Sequence, residues 1–369
     1  MTRLRFAPIP ASLPASVPFT GPETLERRRG AAFRARLGAN ENGFGPSPLA
    51  VQAMARAAAE VWKYGDPDSH DLRAALAELH GIDPGQIMLG EGIDGLLGLL
   101  VRLTVAPDEI VVTSDGAYPT FNYHVAGFGG RLHKVSYRGD AEDPDALVAA
   151  AHDAGARLAY FANPDNPMGS WHSGATILAM LDRLPAGTLL VLDEAYAEFA
   201  PEDAIPRIDP EDDRVIRMRT FSKAYGMAGA RVGYAIGPRE LIAGFDRIRN
   251  HFGINRTAQI GALAALQDKA WLELTRANVA AARLRIAGIA QDNGLSALPS
   301  ATNFVAIDCG RDGSFARAVL SALEAQGIFA RMPGVAPMDR CIRISCGPEA
   351  ELAAFAEALP LALTRARTA

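Results

Sequence analysis

Leu189-Leu190-Val191-Leu192-Asp193-Glu194-Ala195-Tyr196 decides how this chain is read. A short continuous apolar run that ends in an acid fits a buried strand with a carboxylate at its carboxyl end. In open α/β sheets, ligands sit beyond the carboxyl ends of the strands, so Asp193 falls at a ligand edge. A second run, Val215–Thr220, leads into Phe221-Ser222-Lys223-Ala224-Tyr225-Gly226-Met227-Ala228-Gly229-Ala230-Arg231-Val232-Gly233.

Working outward, the same kind of run recurs at Ile87–Leu89, Ile110–Thr113, Leu132–Val135, Leu158–Ala162 and Val232–Ile236. Helical stretches separate most of these runs, which implies βαβ units and a mostly parallel sheet. The expected fold class is α/β: a large domain with a mostly parallel seven-stranded sheet flanked by helices, plus a smaller α/β domain. The boundaries read as an N-terminal arm over 1–45, a large domain over 46–250 and a small C-terminal domain over 251–369. Helices are predicted over 48–62 and 69–80, the latter with Ser69 as N-cap. One or two long helices follow over 257–292. Strands at 302–307, 328–332 and 341–345, with helices at 313–326 and 348–365, build the tail domain together with the arm. The arm is Pro-rich and then basic, from Arg3 to Arg27-Arg28-Arg29.

Composition excludes several classes. The chain has 369 residues, 49% of them hydrophobic, enough for one large or two medium domains. A net charge of −5 argues against a nucleic-acid partner. Cys309, Cys341 and Cys346 form no C-x-x-C pair, so neither a disulfide framework nor a metal site is expected, and a reducing compartment is. The N-terminus shows no apolar h-region and no run reaches about 18 apolar residues, so no membrane span is expected and the reading is cytoplasmic.

Lys223 follows a β-branched and aromatic run and precedes a glycine-punctuated segment, which suits an imine-forming amine. Asp193 can hold a pyridinium nitrogen protonated. Together they are what pyridoxal 5'-phosphate chemistry needs. Ser222, Thr220 and Arg231 offer the hydroxyls and the cation that a phosphate beside an imine requires. Gly90-Glu91-Gly92-Ile93-Asp94-Gly95 joins a strand to an apolar helix, a place where backbone N–H groups bind phosphate. Asn166 lies in Asn163-Pro164-Asp165-Asn166-Pro167-Met168-Gly169, where two X-Pro steps fix an extended turn. Its amide and the Tyr196 hydroxyl can reach the ring's phenolic oxygen, and Tyr118 can stack on the ring. Arg343, inside the apolar strand Cys341-Ile342-Arg343-Ile344-Ser345, demands an anionic partner, and Arg331 is the second anion clamp.

Taken jointly, these stretches resemble the fold-type I pyridoxal phosphate aminotransferases, and among them the histidinol-phosphate aminotransferase group. The resemblance runs from Phe19 to Gly347 and rests on Asn40–Pro48, Tyr64-Gly65-Asp66, Asn163–Gly169, Asp193–Tyr196, Thr220–Gly233, Arg331 and Arg343. It implies that Lys223 is the Schiff-base lysine and proton shuttle, and that Asp193 pairs the ring nitrogen. It implies that Asn166 and Tyr196 bind the ring oxygen. Thr220, Ser222, Arg231 and the backbone of Ile93 and Asp94 would hold the phosphate. Tyr64 would reach that phosphate from the neighbouring subunit, in a homodimer with shared sites. Arg343 would hold a substrate carboxylate and Arg331 a substrate phosphate, with Phe19 and Asn42 also at the substrate. The partners implied are a small-molecule amino donor and a 2-oxo acid acceptor, in a ping-pong transamination. The chain departs from the group's pattern at Pro18-Phe19, where a tyrosine hydroxyl would contact the substrate phosphate. That departure keeps an aromatic or other amino-acid donor open. A threonine-phosphate decarboxylase-like lyase also stays open, because reaction class depends on which bond stands perpendicular to the ring. A DNA-binding regulator is disfavoured, since only about 35 residues precede the core.

Overall fold

The computed structural model describes residues 5–15 and 19–368, so Arg3 of the basic arm and Pro18 of the Pro18-Phe19 pair lie outside the described residues. All seven expected strands form. They are β2 (Ile87–Gly90), β3 (Ile110–Ser114), β4 (Arg131–Val135), β5 (Leu158–Ala162), β6 (Leu189–Asp193), β7 (Val215–Thr220) and β8 (Gly233–Ile236), after a short β1 (Ala35–Arg36). The seven make one sheet in the order β2-β8-β7-β6-β5-β3-β4. β3, β4, β5, β6 and β7 run parallel, whereas β8 is antiparallel to both β7 and β2. A parallel return needs a crossover of about a dozen or more residues, usually helical. Between β7 and β8 the chain has only the lysine loop and one 3-10 turn, Ala228–Ala230, so β8 comes back antiparallel.

β5 and the body of β6 are apolar because both faces are covered, whereas β7 carries Arg217 and Arg219 paired with the buried Glu194. Along β5, Leu158, Tyr160 and Ala162 pack on one side with Leu96, Leu97 and Leu100 of the helix Gly92–Thr104. Ala159 and Phe161 pack on the other with Leu147, Ile177, Met180 and Leu181. The carboxyl ends of β3, β5, β6 and β7 therefore open at one edge of the sheet, just ahead of Tyr118, Asn166, Tyr196 and Lys223.

The smaller sheet has the order β12-β10-β9, all antiparallel, from β9 (Ser296–Ala297), β10 (Phe304–Asp308) and β12 (Cys341–Ser345). The arm packs beside it in a separate two-stranded sheet. β1 pairs in parallel with β11 (Ile328–Phe329), Ala35 opposite Ile328, and Ser345 N donates to Leu37 O at 2.8 Å. β11 is shorter than the expected 328–332, and Arg331 instead forms an isolated bridge with Arg343. The region 257–292 divides into two helices, Arg256–Gln267 and Lys269–Asp292. Asp268 marks the break: its carboxylate accepts from Trp271 N at 3.2 Å and from Ser47 Oγ at 2.5 Å. Ala258, Ala262 and Ala265 of the first helix pack with Phe221 and Tyr234, so the core of the large sheet extends past the expected boundary at residue 250. Val279, Ile286 and Ile289 of the second pack with the small sheet.

Two helix starts differ in detail. Ser47 caps Pro48–Ala57 as a hydroxyl should, accepting from Leu49 N and Ala50 N, and a 3-10 turn over Ala58–Glu60 ends the stretch. Ser69 is not the N-cap acceptor of His70–His80: it sits at φ +47° and makes no capping bond. Asp66 fills that role, its Oδ2 accepting from His70 N at 2.7 Å, because a carboxylate reaches further than a serine hydroxyl.

Candidate active site

Lys223 is fixed from two directions. Phe221, fully buried, anchors the loop leaving β7, and Gly226 turns it at φ +67°. A Cβ on Gly226 would stand 2.4 Å from Gly45 O, so the loop meets the Asn42–Pro46 turn backbone to backbone. The Asn42 amide completes this clamp, donating to Lys223 O at 3.1 Å and Ala224 O at 3.2 Å. That contact corrects the expectation for Asn42, which lines neither cavity described below and braces the lysine loop from behind. Asn40 takes the forward position. Its carbonyl accepts from Lys223 Nζ at 3.1 Å and its amide donates to Tyr196 Oη at 3.1 Å. Burial, reinforced by the Arg343 charge, pulls the Lys223 ammonium down to about 8, so neutral pH leaves more free amine than usual.

Asp193 ends β6 as the sequence predicts and is buried. Tyr160 on β5 donates its hydroxyl to Oδ2 at 2.6 Å, and Ala195 N donates to Oδ1 at 2.9 Å. Burial nonetheless pushes the carboxyl up to about 6, against the effect of both donors. A cation placed before it would restore the carboxylate. Tyr196 is buried, packs edge-on against Phe304 at 5.5 Å, and has its hydroxyl pushed well up by burial. Asn166 Oδ1 accepts from Arg343 Nη1 at 2.5 Å, which leaves the Asn166 amide hydrogens for another acceptor.

A third group surrounds the start of the helix Gly92–Thr104. Arg231, in the left-handed region at φ +56°, donates to Ser222 Oγ at 3.2 Å and lies 3.5 Å from Asp94 Oδ2. Thr220 Oγ1 accepts from Ser222 N at 3.0 Å, so Thr220 orients the serine. Tyr118 donates to Asp94 Oδ1 at 2.8 Å. Gly92 adopts φ +73°, and a Cβ there would stand 2.4 Å from Arg231 Nη2. The helix amino terminus, a guanidinium and two hydroxyls thus converge where only glycine leaves room, which is the donor set an anion of phosphate size requires.

These groups line one cavity of about 370 Å³, Ile93, Asp94, Asp193 and Lys223 among its walls. A second cavity, of about 400 Å³, shares Ala39, Tyr118, Asn166 and Lys223 with the first and is lined further out by Phe19, Arg331 and Arg343. Arg331 and Arg343 are brought side by side by their bridge, Arg343 N donating to Arg331 O at 2.6 Å. Arg331 stands 5.5 Å from the Phe19 ring and donates to Thr20 O at 3.1 Å. Burial, with Arg331 pressing on it, pulls Arg343 down to about 10, and Arg343 Nε is buried with no partner. A buried guanidinium in that state is ready for a carboxylate or phosphate. Tyr64 stands apart: it is 78% exposed, packs its ring at a tilt against Phe252 at 4.7 Å, and lines neither cavity of its own chain.

Pyridoxal 5'-phosphate fits these residues. One cavity is lined by an anion cradle, a buried acid and a lysine, a set that matches that molecule's phosphate, ring nitrogen and aldehyde. Two site residues had no clear signal in the sequence. Tyr160 lies inside an apolar strand and reads as core, and Asn40 is separated from Asn42 only by the side-chain direction of a turn.

Comparison with known proteins agrees with this geometry. Residues 35–359 match the family model described as aminotransferase class I and II. Histidinol-phosphate aminotransferase 1 of Mesorhizobium japonicum is 36% identical over 332 residues, 88% of this chain and 89% of that protein. The histidinol-phosphate aminotransferase of Jannaschia sp. is 39% identical over 319 residues, covering 85% and 86%. The crystal structure of histidinol-phosphate aminotransferase from Sinorhizobium meliloti in complex with pyridoxal 5'-phosphate superposes with a TM-score of 0.94, at 54% identity and 98% of both chains. A lysine, an acid and an anion cradle placed at the strand ends of this sheet, with the match over 35–359, establish that the chain belongs to the aminotransferase class I and II family.

Proposed function

We propose that this enzyme is a pyridoxal phosphate-dependent transaminase that passes an amino group between histidinol phosphate and 2-oxoglutarate by a ping-pong route. The observation that carries the reading is the pair of cations Arg331 and Arg343, half-buried and lining with Lys223 a cavity that shares walls with the cofactor cradle. Its likeness to proteins named for that substrate supports the choice. When bound, pyridoxal 5'-phosphate supplies an imine-forming carbonyl and an electron sink. Lys223 would hold it through its amine and carry the proton that the transfer moves, work that suits an amine lowered to about 8. Asp193 holds a proton on the ring nitrogen, and Tyr160 and Ala195 N hold Asp193 in place. Asn166 and Tyr196 would bind the ring oxygen and Tyr118 would lie against the ring, all three lining the same cavity. Ser222, Arg231 and the backbone of Ile93 and Asp94 hold the phosphate, with Thr220 orienting Ser222.

Arg343 takes the carboxylate of glutamate and Arg331 the phosphate of histidinol phosphate, with Phe19 forming the apolar wall beside it. Tyr64 completes the partner's phosphate site in a homodimer, and its exposure beside Trp62 and Phe252 supports this. The enzyme works in the cytoplasm, where three free cysteines stay reduced. Among the described residues no helix is long and apolar enough to cross a membrane.

The test is an amine screen on the loaded enzyme without oxo acid, followed by cofactor absorbance. Histidinol phosphate should discharge the lysine-bound band faster than phenylalanine or tyrosine at equal concentration. Preference for the aromatic acids would move the assignment to an aromatic donor, with Phe19 as its ring contact.

A further inference from the structure

The second cavity carries more positive charge than the two arginines provide. Its lining includes Lys134, Lys223, Arg331 and Arg343, and no Asp or Glu among the described residues. Lys134 reaches it from an unexpected direction. It lies at the carboxyl end of the edge strand β4, opposite Thr113 of β3, and so shares the edge on which Asp193 and Lys223 open. Nothing described so far uses it. Lys223 and Asn166 are shared with the cofactor cavity, and Arg343 bonds that Asn166, whereas Lys134 and Arg331 line the outer cavity without such a link.

We propose that Lys134 is a specificity-determining residue that meets a doubly charged, phosphate-like group at the outer end of the amino donor. Its present partner is Asp115, with Nζ 3.0 Å from Oδ1 and side chains 42% and 40% exposed. An ion pair as exposed as this contributes little, so the ammonium turns toward a dianion at small cost. A flexible four-carbon stem suits that movement better than a planar guanidinium would. A singly charged carboxylate gains less from a third cation than a dianion does, so Lys134 biases the cavity toward phosphate. The inference rests on the substrate reading above and extends it to a residue outside the arginine pair.

The experiment compares Lys134→Met with Asp115→Asn in the loaded enzyme. If Lys134 serves the substrate, Lys134→Met raises KM for histidinol phosphate about tenfold and kcat changes much less. Asp115→Asn then acts in the opposite sense, lowering KM about twofold, because it frees the ammonium. Lys134→Arg restores most of the affinity. If the pair is only structural, both variants raise KM alike or neither changes it, and the proposal is overturned. Inorganic phosphate as a competitive inhibitor reads the same cation without that substrate. Its inhibition constant rises in Lys134→Met if the proposal holds and stays put if it does not. Should the wild-type enzyme fail to turn over histidinol phosphate, the substrate reading falls, and the phosphate measurement still decides on Lys134.

Discussion

At the scale of single residues, the site depends on two groups whose burial works against their charge. Lys223→Ala removes the amine that we propose binds cofactor and moves the proton. The variant should lose the lysine-bound absorbance and nearly all turnover. Borohydride reduction and peptide mapping of the wild type should place the label on Lys223, and a label on another lysine would refute the role. Asp193 allows a two-part prediction. In the loaded enzyme, Asp193→Asn should lower turnover roughly hundredfold, because a neutral amide no longer holds the ring nitrogen protonated. In the protein stripped of cofactor the sign reverses. The folded carboxyl keeps its proton up to about pH 6, the unfolded one only to about its ordinary value of 3.8. The folded state therefore binds more protons in that window, and wild-type stability falls as pH rises through it. Stripped Asp193→Asn should then be more stable than wild type by on the order of 2 kcal/mol at pH 7.5, an advantage that vanishes near pH 4. Calorimetry across that range checks it, and a constant difference at all pH values would exclude the buried carboxyl as its source.

At the scale of elements, strand ends and helix starts do the positioning. β6 and β7 deliver Asp193 and the lysine loop to one edge, and the helix Gly92–Thr104 points its amino terminus at Arg231. Gly92→Ala tests the cradle without removing a donor. The new methyl group must displace the Arg231 guanidinium and also accept φ +73°, which disfavours a side chain by about 1 kcal/mol. Cofactor affinity should fall roughly tenfold by spectroscopic titration, while the melting temperature of the stripped protein shifts by only a few degrees. An unchanged affinity would mean that the phosphate sits elsewhere.

At the scale of the whole molecule, the arm and the two sheets share the work, and we propose that a second subunit joins them. β1 pairs with β11 beside the small sheet while the residues that follow, Asn40 to Pro46, brace the lysine loop of the large one. The exposed cluster of Val61, Trp62, Tyr64 and Phe252 is the surface we assign to the partner. Sedimentation at assay concentration should show a dimer, and Trp62→Glu should weaken it and lower activity together. A fully active monomer would contradict the shared site.

The sequence by itself determined the seven strands, the acid at the end of β6 and the lysine after β7. These were legible because a strand covered on both faces is a continuous apolar run, and a polar residue at its end stands out against it. It also determined the arginine pair, since a guanidinium inside the apolar run Cys341–Ser345 must have an anion to meet. Tertiary structure alone decided the rest. The antiparallel turn of β8 follows from a connection too short for a crossover, and strand direction leaves no mark on composition. Asn40 rather than Asn42 faces the cavity because Asn40 adopts φ +56° and turns its neighbours about, a choice made by packing against Ser345 and Asn303. Tyr160 looks like core until β5 and β6 pair in register and bring its hydroxyl to Asp193. Lys134 belongs to an exposed edge strand until the sheet places its carboxyl end beside the arginines. In each case the chemistry arises from distance between segments remote in the chain, which local patterns of apolar and polar residues do not encode.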